Sequence, residues 1–60
     1  MEELTTQFEE LKETLVTAEA ELEKFNKGNK SAGTRLRGAM QSVKGLAQTI
    51  RLGVQAQKNA

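Results

Sequence analysis

Leu4, Phe8, Leu11, Leu15, Ala18, Leu22 and Phe25 follow one another at spacings of 4, 3, 4, 3, 4 and 3 residues. Side chains so spaced line one stripe of an α-helix, and three heptads of them call for a partner surface along the whole stripe. No proline interrupts the chain, and aromatic residues make up only 3% of it, a composition that suits helix far better than strand. A second series, Leu36, Ala39, Val43, Leu46 and Ile50, repeats the alternation. Met40, Ala47 and Val54 widen it to the breadth of a helix packed in a bundle.

The link between the two series is short. Gly28 can adopt the left-handed conformation that ends a helix near Asn26, and Asn29 or Ser31 can cap the next one. Thr6 followed by Glu9 offers a capping box at the start of the first helix, although Leu4 belongs to the apolar series and argues for an earlier start. The expected fold is all-α: a single domain with an acidic helix over about residues 3–26, a turn over 27–30 and a basic helix over 31–57. A link of that length folds the second helix back as an antiparallel two-helix hairpin.

Sixty residues bury little surface, so such a chain normally relies on disulfides, a metal or a partner. Cysteine is absent, which excludes a disulfide, and histidine and aspartate are absent too, which nearly excludes a structural zinc. Self-association is the remaining route, and two hairpins pairing into a four-helix bundle make a homodimer the expected assembly. No apolar run reaches transmembrane length, and the N-terminus lacks the order of a signal peptide, so a cytoplasmic setting without a membrane is expected. Gly33, Gly38, Gly45 and Gly53 all fall in the second helix, each at a cost of about 0.5–1 kcal/mol relative to alanine. A helix that tolerates four of them is held by packing. Gly38 and Gly45 directly follow Arg37 and Lys44; they are either tolerated surface positions or places where bare backbone admits another surface closely.

Charge is divided along the chain. Residues 1–26 hold eight glutamates against Lys12 and Lys24, a net −6, and residues 27–60 hold seven basic residues and no acid, a net +7. Lys30, Arg37, Lys44, Arg51 and Lys58 are spaced seven apart. At about 1.5 Å per residue and a drift of about 20° per heptad, they form a nearly straight stripe roughly 42 Å long. Arg35 lies off this line, close to Arg37 in sequence. Thr34, Gln41, Gln48 and Gln55 run beside the stripe as a neutral polar row.

A solvated helix face ordinarily mixes both signs, and this one does not. Glu19 and Glu21 flank the apolar series of the first helix and can reach basic residues, whereas Glu2, Glu9 and Glu23 lie on its far side, so internal neutralisation is expected to be partial. A one-signed, evenly spaced stripe suits a polymer of evenly spaced negative charge, and double-stranded DNA bound non-specifically through its phosphates is the expected partner. The second helix has no aromatic residue for stacking on single-stranded bases. The other partner this pattern admits is an acidic protein surface, with the hairpin serving as an interaction module. Without histidine, cysteine, aspartate or tyrosine the usual nucleophile–base arrangements cannot be assembled, so no enzyme, small-molecule substrate, cofactor or metal is expected.

The run GNKSAGTRLRGAMQSVKGLAQTIR resembles the bacterial linker-histone-like proteins of the chlamydial type. The features carrying the likeness are Gly28-Asn29-Lys30, the pair Arg35 and Arg37, and then Lys44 and Arg51, within about residues 25–58. The resemblance implies a nucleoid protein that binds DNA without sequence preference and compacts it, with Lys30, Arg35, Arg37, Lys44 and Arg51 contacting DNA. Periodicity adds Lys58. Many proteins of that type extend into a lysine- and alanine-rich tail, whereas here the sequence ends at Ala60 and the first helix is unusually acidic. Those differences favour a modest binder, or one acting by multivalency after self-association.

Overall fold

The structure is a computed structural model describing residues 2–59. Helix α1 spans Glu2–Asn26 and helix α2 spans Lys30–Lys58. They pack against each other as an antiparallel hairpin measuring 49 × 15 × 11 Å. Because α1 begins at Glu2, Thr6 and Glu9 lie inside the helix and do not form its N-terminal capping box. Glu2 and Glu3 occupy the first turn instead, where the helix dipole favours negative charge.

The reversal is a Schellman motif. Gly28 takes φ +102°, a conformation that costs glycine little because it has no Cβ. The Gly28 N–H donates to Phe25 O at 3.0 Å and the Asn29 N–H donates to Lys24 O at 3.1 Å, satisfying carbonyls that the end of α1 would otherwise leave bare. Asn29 then caps α2, its Oδ1 accepting from the Ala32 N–H at 3.2 Å. One residue thus closes one helix and starts the next.

The packing corrects the expected seam. On α1, the residues turned towards α2 are Leu4, Gln7, Leu11, Thr14, Ala18 and Glu21, with Phe25 closing the turn end. Every second member of the apolar series is therefore replaced by a polar residue one helical position round. Phe8, Leu15 and Leu22 are left 52%, 46% and 44% exposed. On α2 the packed residues are Ala32, Gly33, Leu36, Ala39, Val43, Leu46, Ile50 and Gly53. Met40 and Val54, each 43% exposed, stand beside that row.

Close approach explains the rotation. Ala18 and Ala32 are the buried apolar side chains among the described residues, so the helices meet through small groups. At the turn end a Cβ on Gly33 would lie 2.7 Å from the Phe25 ring, and at the open end a Cβ on Gly53 would lie 2.8 Å from Leu4 Cδ2. These two glycines are sockets for large side chains of α1. Gly38 and Gly45 face open space, with no atom of the opposing helix within 4 Å of an added Cβ, so the hairpin itself makes no use of them.

Candidate nucleic-acid interface

Successive residues of an α-helix turn by about 100°, which sets each row of side chains around α2. Arg37, Lys44, Arg51 and Lys58 stand about 60° beyond the Met40–Ala47–Val54 row, on the outer side of α2, with Lys30 at the same heptad position. All five are exposed. The ion pairs among the described residues are Lys12–Glu9, Lys24–Glu21 and Arg35–Glu21, so none draws on the stripe. Within the stripe, Arg51 Nε donates to Gln48 Oε1 at 3.4 Å, a contact with a neutral amide of the adjoining row.

Arg35 is set apart from the stripe. Two residues turn a helix by about 200°, so Arg35 and Arg37 point to nearly opposite sides of α2. Arg35 reaches across the hairpin, its Nε donating to Glu21 Oε2 at 2.7 Å. Glu21 is buried to 9% exposure, and its second oxygen is 3.9 Å from Lys24 Nζ without a hydrogen-bond partner. The expectation that Glu21 reaches a basic residue thus holds, with Arg35 as its partner. Glu19, the other candidate, forms no ion pair among the described residues and lies along the exposed apolar groove with Leu15, Leu22 and Met40.

The hydrogen bond from Arg35, assisted by its charge and that of Lys24 against the cost of burial, holds the Glu21 carboxyl below the ordinary glutamate range. A carboxyl that is more acidic in the folded than the unfolded chain stabilises the fold above its unfolded pKa and loses that contribution as pH falls through its folded one. Glu21→Gln is therefore expected to lower the melting temperature by a few degrees at neutral pH. The gap from the parent protein should close as the pH drops below the ordinary carboxylate range, which thermal melts followed by circular dichroism would read. A gap that persists unchanged in acid would assign the effect to packing alone.

No group of histidine, cysteine, aspartate or glutamate side chains fit to hold a metal occurs among the described residues, and no described helix is long and apolar enough to cross a membrane. Chemically, the stripe offers exposed cations spaced about 10.5 Å apart along one helix, with the amides of Gln41, Gln48 and Gln55 beside them. Residues 5–60 match the family model described as histone H1-like protein Hc1. No curated protein and no solved structure matches the chain.

Proposed function

Since the chain belongs to the family of the histone H1-like protein Hc1, we propose that it is a nucleoid protein that binds double-stranded DNA through the phosphate backbone, without reading sequence. The observation carrying this reading is the stripe of Lys30, Arg37, Lys44, Arg51 and Lys58 on the outer side of α2, which forms no ion pair among the described residues. Lysine and arginine so placed neutralise phosphates and release condensed counterions, a gain indifferent to base identity. Arg35 pairs with Glu21 through Nε and helps to hold the hairpin closed, while its side chain stays 49% exposed, so any contact that it makes with DNA lies apart from the stripe.

Self-association belongs to the same reading. The hairpin exposes 4822 Å², whereas a compact monomer of 6.6 kDa exposes about 3,900 Å² by the usual surface scaling. The excess, about 900 Å², is close to the roughly 800 Å² that one partner contributes to a standard interface. Phe8, Leu15, Leu22, Met40 and Val54 supply the apolar part of that surface. A homodimer joined there forms a four-helix bundle and doubles the number of phosphate contacts.

Titration against fluorescent duplexes of unrelated sequence at several salt concentrations tests the proposal. Five contacts per chain predict a slope of log K against log salt near −4.5, at about −0.9 per contact. The slope and the affinity should be alike for every duplex. Absence of binding at low salt, or strong preference for one duplex, would overturn the reading; the former would give the stripe to an acidic protein surface.

A further inference from the structure

The basic stripe and the exposed apolar surface share an edge. Phe8, Leu15 and Leu22 of α1 and Met40, Ala47 and Val54 of α2 lie on one side of the hairpin, where Leu15, Leu22, Leu36 and Met40 line a common groove of about 370 Å³. Arg37, Lys44, Arg51 and Lys58 border this face along α2. Along α1 its border holds Glu19 and Lys12, with Glu2, Glu9 and Glu23 in the next row outwards.

We propose that a second copy of this chain covers the apolar face with its turn at the same end as the first, the two related by a two-fold axis along the length of the hairpin. Each α2 then packs along the partner's α1, and the two basic stripes lie on opposite sides of the bundle. This deepens the self-association in the function proposed above and rests on it.

Two hairpins can meet through one face about two kinds of two-fold axis. An axis across the hairpin lays α2 on the partner's α2 and α1 on the partner's α1. It would bring two stripes of five cations together along one edge and the glutamates of both first helices along the other. An axis along the hairpin sets the basic half, at +7, beside the partner's acidic half, at −6, on both edges. Like charges along a whole edge oppose docking, and opposite charges select the pairing that avoids them.

The register supports the same choice. Leu4 meets Gly53, Phe25 meets Gly33 and Glu21 meets Arg35, so the numbers of facing residues add up to about 57. With the turns at the same end, Arg37 comes level with the partner's Glu19 and Glu23, and Arg51 with the partner's Glu2 and Glu9. Two like-charge meetings remain: Lys44 comes level with the partner's Lys12, whose charge its own Glu9 answers at 3.2 Å, and Lys30 with the partner's Lys27 at the turn. Large apolar groups also meet small or flexible ones: Phe8 lies level with the partner's Ala47, and Leu15 with the partner's Met40.

The absence of cysteine makes single-site labelling clean. A nitroxide on Lys27→Cys, at the exposed turn, reports the arrangement by double electron–electron resonance on the full chain at tens of micromolar. With helices about 8–10 Å apart, turns at one end of the bundle put the labels within about 30 Å of each other. Labels on Gln57→Cys, at the other end, should be equally close. Turns at opposite ends of a rod 49 Å long would instead give a distance of about 40 Å or more at Lys27, which overturns the proposal. So would the absence of dipolar modulation at both positions, because no dimer would then exist. DNA is left out of the sample, so failure of the phosphate-binding reading would not alter this result.

Discussion

Changing Arg37, Lys44 and Arg51 together to glutamine is expected to lower duplex affinity about 500-fold at 0.1 M salt. That figure follows from three lost contacts at about 0.9 logarithmic units each, counting counterion release alone. The salt slope should fall with it, from about −4.5 to about −1.8 per chain. The three side chains are exposed, and none is ion-paired among the described residues, so helicity and melting temperature should hold near those of the parent protein. Circular dichroism and fluorescence anisotropy on the same samples separate the two effects. A folded triple variant that binds as tightly as the parent would remove the stripe from the DNA-binding surface. Arg35→Gln should behave in the opposite way, sparing the slope and loosening the fold through Glu21.

Leu15→Glu combined with Met40→Glu is expected to abolish the dimer and much of the helicity with it. Both side chains line the apolar groove, and a two-fold axis places four new carboxylates in one interface. Desolvating them without partners is costly, so the assembled state should be lost. A hairpin whose buried apolar side chains among the described residues are Ala18 and Ala32 has little core to sustain it alone. Folding and assembly should therefore be coupled. The parent's melting temperature should rise with protein concentration, and sedimentation should show a dimer at micromolar levels; the variant should show neither. A parent protein whose melting temperature is independent of concentration, with a variant just as stable, would show that the hairpin stands alone.

Much of this was legible in the residue order because it depends on local interactions. Gly28 and Asn29 mark the turn through backbone preference and a side-chain cap, and both act within a few residues of themselves. The helices Glu2–Asn26 and Lys30–Lys58 meet at these local signals for the same reason. The seven-residue stripe was also readable, since a periodicity along one helix survives whatever that helix packs against.

The partition of α1's apolar series was not legible. Leu4, Phe8, Leu11, Leu15, Ala18, Leu22 and Phe25 look like one seam, yet they supply two surfaces: Leu4, Leu11, Ala18 and Phe25 turn to α2, and Phe8, Leu15 and Leu22 turn away. Periodicity records that a stripe is apolar, not which edge of it a given neighbour takes. The Glu21–Arg35 pair was only partly legible: Glu21 was expected to reach a basic residue, but the one that it meets lies fourteen residues later, on the other helix, about 200° round from its neighbour Arg37.

Helix, turn and charge stripe were thus present in the amino-acid order, because each rests on contacts within a few residues or on the pitch of a single helix. The rotation of α1 against α2, the sockets at Gly33 and Gly53, the Glu21–Arg35 pair and the exposed apolar face bordering the stripe came only with the packing. Each depends on how closely two helices approach and at what register, and that is set by the fit of side chains far apart along the chain.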